Sequence, residues 1–128
     1  METDEQRKDR ERLGRYIVRH QLVSHMNDTK WRAAVQSLLA IPFRPGFRVR
    51  CVRDAGDPPP RWESSFPEHV PTFVHIEWLE INPMSGEEPP RDLSDAVTAA
   101  LRAANVSFEQ RDGAIRIVGY TRPAPMDR

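Results

Sequence analysis

Apolar and polar residues alternate in two stretches near the middle of the chain, FRVRCVRD at Phe47–Asp54 and VHIEWLEI at Val74–Ile81. Both stretches are rich in β-branched and aromatic residues, and both are bounded by Pro, Gly or Asn, which is typical of strands. In the first stretch, Arg48 and Arg50 fall in the opposite phase to the apolar residues. We therefore predict two strands that pair in a sheet, with these arginines on its less apolar face.

Helical spacing of apolar residues recurs in three other stretches. The first runs from about Glu11 to His25 and leaves Met1–Asp9 as a polar end. The second follows the capping residues Asn27-Asp28-Thr29 and ends before the prolines at 42 and 45. The third begins after Asp92 and ends at Asn105, a residue that tolerates the left-handed conformation. The pattern thus predicts three helices.

The last element is predicted to be a hairpin. Two strand-like runs, Val106–Gln110 and Ala114–Tyr120, flank Asp112-Gly113, a pair typical of tight hairpin turns. The element order predicts an α+β domain at residues 10–121, with a mainly antiparallel sheet of about four strands and two or three helices packed on it. Residues 1–9 and 122–128 are expected to be flexible ends.

A long connection at residues 55–73, AGDPPPRWESSFPEHVPTF, separates the two central strands. It contains five prolines and three large aromatic residues, Trp62, Phe66 and Phe73. A connection of this length inside a compact domain is uncommon and is usually functional or disordered, and the aromatic residues argue against disorder. Either the loop is stiffened by proline and pinned to the core, or it presents a recognition surface or covers a pocket.

Composition narrows the function classes. Nineteen basic residues balance nineteen acidic ones, so no overall field attracts nucleic acid, which we consider an improbable partner. The single cysteine, Cys51, rules out an internal disulfide and a cysteine-based zinc cluster, and its phase predicts a small core side chain. The charged start is unlike a signal peptide and no apolar run reaches membrane-spanning length, so we expect a cytoplasmic protein that does not enter a membrane.

No catalytic motif is present, and the four histidines lack metal-ligand spacing, so neither a cofactor nor a metal is expected. His75 and Glu77 share a phase of the second strand, and we expect Glu77 to face Arg48 and Arg50 across the sheet. Two interpretations of this arrangement remain open. It is either a cross-strand ion network or an anion pocket that the loop residue His69 approaches.

Four segments together resemble a family of small, uncharacterised bacterial proteins: NDTKW at 27–31, FRVRCVRD at 47–54, W-x-x-S-F-P-x-H-V-P at 62–71 and IEWLEI at 76–81. The resemblance implies a stand-alone bacterial cytoplasmic domain, with no established activity or catalytic residues to transfer. In size and architecture the chain is also similar to immunity proteins, which neutralise secreted toxins.

Our leading hypothesis is a non-enzymatic protein-binding module. Aromatic residues and arginine dominate the binding energy of many interfaces. The expected anchors are Trp62 and Phe66, and the expected polar contacts are Arg48 and Arg50.

Two alternatives make other predictions. In the first, the protein is a small enzyme or ligand-binding domain whose anion pocket contains His69, His75, Glu77 and an arginine. In the second, the N-terminal helix mediates a homodimer through its apolar stripe.

Overall fold

The computed structural model describes residues 2–42, 45–54, 56–58, 60–64, 66–85 and 89–123, and these contain three α-helices and two antiparallel sheets. The helices are α1 (Asp4–Arg19), α2 (Asp28–Leu39) and α3 (Ser94–Ala103). The larger sheet has the strand order β2 (Gly46–Cys51), β3 (Ile76–Asn82), β5 (Ala114–Val118) and β4 (Glu109–Arg111). A smaller sheet pairs β1 (Val23–Ser24) with β6 (Tyr120–Thr121). The predicted α+β class and element order are confirmed.

Asn27 and Asn105 lie at helix ends as predicted, whereas Asp92 is not the N-cap of α3. The side chain of Asn27 accepts a hydrogen bond from the backbone nitrogen of Lys30 at 2.8 Å and starts α2. Asp92 accepts one from the backbone nitrogen of Ser94 at 2.9 Å, but the N-cap position of α3 is Leu93, which makes no side-chain cap hydrogen bond. After α3, Asn105 takes a left-handed conformation with φ of +58°, as expected of a terminator.

The first helix differs from its prediction at both ends. It begins at Asp4 rather than near Glu11, because Thr3 and Gln6 form a reciprocal capping box. It ends at Arg19, and the residues up to His25, which were predicted to be helical, include β1.

The two central strands are shorter than predicted, since β2 gives way to a 3-10 turn at Val52–Asp54 and another such turn at Phe73–His75 precedes β3. Their register shifts between the last two residues of β2: Arg50 opposes Trp78, whereas Cys51 opposes Ile76. Glu77 is therefore an extra residue, a β-bulge. In a regular strand Ile76 and Trp78 would share a face, but the bulge separates them.

The main core lies between one face of the larger sheet and the helices α2 and α3. Its sheet side chains are buried apolar residues from three strands: Phe47, Leu79, Ile81, Ile115 and Ile117. The helices add Trp31, Leu38, Val97 and Leu101. A second cluster of Leu13, Leu22, Val52 and Tyr120 attaches α1 to the body of the domain.

The predicted hairpin connects β4 to β5. Asp112 and Gly113 both have positive φ, at +50° and +81°, which is the conformation of a type I′ turn. The turn places Arg116 on the side of the sheet opposite Ile115 and Ile117, as the alternation predicts.

Candidate functional site: the open face of the sheet

Charged and aromatic side chains occupy the face of the larger sheet that is turned away from α2 and α3. The strand register aligns them in two rows, because directly opposed residues of antiparallel strands point to the same side. The first row contains Arg48, Glu80 and Arg116, and the second contains Arg50, Trp78 and Val118. We call the following set the Arg/Trp face: Arg48, Arg50, Trp62, Trp78, Glu80 and Arg116.

Glu80 lies at the centre of the Arg/Trp face and is 2% exposed. Arg48 donates from Nε to one carboxylate oxygen at 2.6 Å. Arg116 binds the other oxygen, with Nε at 2.9 Å and a terminal nitrogen at 2.7 Å. A buried carboxylate is costly unless it is paired, so the two guanidiniums are what allow Glu80 to be buried here.

Trp62 reaches this face from the long loop through a backbone bridge to β2. Phe47 and Glu63 exchange two hydrogen bonds, of 2.8 and 2.7 Å, so residue 62 lies beside Arg48 at the edge of the sheet. The guanidinium carbon of Arg48 lies 4.5 Å from the centroid of the Trp62 ring, a cation–π contact. With 41% of its surface exposed, Trp62 is held in place and still presented to solvent.

The second indole, Trp78, contacts the remaining two arginines. The guanidinium carbon of Arg116 lies 4.2 Å from the ring centroid of Trp78, and that of Arg50 lies 6.0 Å from it. Arg50 also donates to the backbone carbonyls of Asp54 and, at 3.1 Å, Asp57. Each guanidinium of the Arg/Trp face is thus fixed by an indole and by at least one oxygen acceptor.

Three of the predicted site residues belong to this face, namely Arg48, Arg50 and Trp62. The fourth member of the predicted interface, Phe66, is 1% exposed and packs against Phe47 in the core, with ring centroids 5.5 Å apart. The loop is thus pinned to the core by Phe66, and it leaves Trp62 partly exposed to solvent.

The predicted pocket residues are not brought together. His69 lies 3.3 Å from Glu63 within the loop. His75 lies 3.0 Å from Asp9 of α1. These two histidines contact different elements, and among the described residues no cluster of three possible metal ligands is found.

The expected pairing of Glu77 with Arg48 and Arg50 is wrong. Glu77 instead accepts two hydrogen bonds from Arg122, at 2.9 and 3.0 Å, and these raise the pKa of the guanidinium. Arg122 also donates to the carbonyl of Val52 at 2.7 Å, which ties the chain after β6 to the turn after β2. Strand alternation explains the error, because Glu77 is in phase with Leu79 on the packed side of β3, whereas Glu80 is in phase with Trp78 on the arginine side.

Three members of the Arg/Trp face were not selected from the sequence: Trp78, Glu80 and Arg116. A signal for them exists, since Trp78 and Glu80 are two residues apart on one strand and Arg116 alternates with buried isoleucines. Without the register, however, nothing in the sequence chooses between Glu77 and Glu80 as the partner of Arg48.

Two other candidate features have structural roles. The apolar stripe of α1 packs within the chain, since Leu13, Tyr16 and Ile17 contact the second cluster. Cys51 is half-buried, and burial raises the pKa of its thiol, so its reactive thiolate is disfavoured. Within the described residues, no helix is long and apolar enough to cross a membrane.

The fold and this surface together define an α+β domain with an open, arginine- and tryptophan-lined sheet face. The chain belongs to the Family of unknown function (DUF6678), whose model matches residues 13–124. The resemblance to an uncharacterised family is thereby confirmed, and the match includes the whole Arg/Trp face. No curated protein and no solved structure matches the chain.

Proposed function

We propose that this protein is a binding module that holds an acidic segment of a partner protein on its Arg/Trp face. The observation that carries the proposal is the grouping of three guanidiniums and two indoles on one side of the sheet, where two of the guanidiniums pair with a buried carboxylate. Tryptophan and arginine are the residues most enriched among the dominant contacts of protein interfaces. The face lies opposite the helices that cover the core, so a partner reaches it without displacing them.

The rigid placement of the arginines supports this proposal. Arg48 lies between Glu80 and Trp62, and Arg116 lies between Glu80 and Trp78. Long side chains normally lose conformational entropy when they bind, and side chains that are already fixed lose less. A planar guanidinium with free donors can then receive a carboxylate through two parallel hydrogen bonds.

Charge complementarity favours an acidic occupant. Three arginines, against Glu80 and the neighbouring Glu109 that opposes Arg116 on β4, leave this side of the sheet with one positive charge more than negative ones. The whole chain nevertheless has no net charge. A small cationic patch on a neutral protein suits one or two carboxylates, whereas a nucleic-acid backbone is normally bound by a larger basic surface.

The alternative of an enzyme or anion pocket built from His69, His75 and Glu77 lacks geometric support. Each of these side chains has its own partner on a different part of the fold. No observation of comparable weight favours the pocket over the open face.

The proposal is tested by fluorescence anisotropy with a labelled oligoglutamate peptide. Arg50→Gln and Trp62→Ala should each weaken binding by about tenfold or more, which corresponds to ~1.4 kcal/mol. Arg50 is preferred to Arg48 for this test because its removal leaves Glu80 paired. The matched control is Arg32→Gln, which removes the same charge from an exposed position on α2 and should change affinity by less than about twofold.

Two results would overturn the proposal. If Arg32→Gln weakened peptide binding as much as Arg50→Gln, the attraction would be a general charge effect. If a single-stranded DNA of equal charge bound more tightly than the peptide, with the same dependence on Arg50 and Trp62, the partner class would be wrong.

A further inference from the structure

A cleft of about 380 Å³ lies beside the Arg/Trp face, at the edge of the sheet formed by β4. Its apolar lining comes from Met26, Phe108 and Val118, and its polar lining includes His25, Lys30 and Glu109. The volume is at the lower end of ordinary ligand pockets, which span about 300–1,000 Å³. It is large enough for one bulky side chain.

Two residues that line the cleft are cross-strand neighbours of the Arg/Trp face. Val118, on the floor of the cleft, directly opposes Trp78. Glu109, in its wall, directly opposes Arg116. A chain segment lying across the sheet would therefore reach the border of the cleft at the β4 edge, and its side chain would enter past Val118 toward Met26 and Phe108, which pack against the main core.

The charges around the cleft also match an acidic segment with an apolar side chain. The Glu109 carboxylate is already paired with Arg111 at 3.1 Å. Lys30 is exposed, and among the described residues no carboxylate lies within ion-pair distance of its ammonium group. The cleft thus combines an apolar interior with an available cation at its rim.

We propose that this cleft is an apolar subsite for the same partner segment, which places a Leu, Met or Phe side chain in it. This inference rests on the proposed function. Neighbouring strands are about 4.8 Å apart, so β2 and β4, separated by three such steps, are roughly 14 Å apart. An extended segment covers that distance in about four residues at ~3.3 Å each. The recognised segment therefore carries acidic residues over Arg48 and Arg50 and an apolar residue about four positions away.

Two labelled peptides test this inference. Both contain a run of glutamates, and they differ only in having Leu or Ala about four residues beyond it. The Leu peptide should bind roughly tenfold more tightly, a difference of ~1.4 kcal/mol. Ser107→Trp, which fills the cleft from its wall, should abolish that advantage and leave the affinity for the Ala peptide unchanged.

Since the large substitution at Ser107 risks disturbing the fold, NMR of the unaltered protein provides a second readout. The methyl signal of Met26 and the ring signals of Phe108 should shift with the Leu peptide and stay in place with the Ala peptide.

The outcomes separate the two proposals. If both peptides bind the unaltered protein equally and Arg50→Gln weakens both, the apolar subsite is wrong and the Arg/Trp face still binds acidic segments. If the advantage of the Leu peptide survives Ser107→Trp in a folded variant, or the Met26 and Phe108 signals do not move, the side chain lies elsewhere. If neither peptide binds, both proposals fail.

Discussion

The two faces of the larger sheet are built from alternate residues of the same strands but depend on different forces. On β2, Phe47 is fully buried against the helices, while its neighbour Arg48 lies between a carboxylate and an exposed indole. The first face is stabilised by close packing of apolar volume, and the second by ion pairs and cation–π contacts. Only the second face leaves charge and aromatic surface available to a partner.

This difference indicates where substitutions should affect folding and where they should affect binding. Each methylene removed from a close-packed core lowers the free energy of unfolding. Removing a partly solvated side chain lowers it less, because water fills the space that is left. Substitutions that remove side chains of similar size from the two faces can therefore distinguish a role in folding from a role in binding.

The largest expected effect is that of Phe47→Ala. The side chain is fully buried and contacts Phe66, so its removal leaves a cavity where the loop is pinned to the sheet. We expect the free energy of unfolding to fall by ~3–5 kcal/mol, as in other cores. Urea denaturation followed by circular dichroism measures the change.

The matched variant on the open face is Trp62→Ala. It removes an even larger side chain, but one that is 41% exposed and is held chiefly by the guanidinium of Arg48. Its cost in stability should stay below about 1.5 kcal/mol. Equal costs for Phe47→Ala and Trp62→Ala would contradict the distinction between the two faces.

An intermediate effect is expected from Glu80→Gln. The amide keeps the shape of the carboxylate but removes the negative charge that Arg48 and Arg116 share. Because both guanidiniums are partly exposed, water recovers some of the loss, and we expect a decrease of ~1–3 kcal/mol in the free energy of unfolding.

Glu63→Gln is the control for Glu80→Gln. The carboxylate of Glu63 is exposed, and the partner that it contacts is the exposed His69, at 3.3 Å. Removing its charge should therefore lower the free energy of unfolding by less than about 0.5 kcal/mol. If Glu80→Gln were equally mild, the ion pairs would contribute nothing to the stability of the open face.

The sequence predicted best those elements whose ends depend on local chemistry. The cap at Asn27, the terminator at Asn105 and the turn at Asp112-Gly113 each act within a few residues, so a single chain is enough to locate them. The strands β1 and β6 were missed because two residues are too few to show any periodicity. Their pairing depends on contacts between distant parts of the chain.

The site was predicted in part for the same reason. Arg48, Arg50 and Trp62 were identified by residue type and by an unusual loop, both of which are local signals. The choice of Glu80 over Glu77 depended on which side of β3 packs in the core, and apolar residues occur in both phases of that strand, such as Trp78 in one and Leu79 in the other. Residues three apart on a strand point to opposite faces, so the wrong choice of phase exchanged the two carboxylates.

The smallest expected effect concerns Cys51, which lies at the end of β2 where the packed face meets solvent. Burial, with a smaller contribution from the charge of Asp54, raises the pKa of its thiol, so the folded protein keeps this proton at a pH where the unfolded chain has lost it. Stability should therefore be unaffected below the usual thiol pKa and should fall as the pH rises through it. Burial also raises the pKa of Tyr120, and the loss of stability that this causes begins at a higher pH.

Urea unfolding at about pH 7 and about pH 9.5 measures this loss. Cys51→Ala should reduce the difference between the two pH values, whatever it does to stability at either one. Tyr120→Phe should leave that difference largely unchanged, because the phenol titrates mainly above this range. An unaltered pH dependence in Cys51→Ala would mean that the thiol at the end of β2 is as well solvated in the folded protein as in the unfolded chain, and that the packed face ends before Cys51.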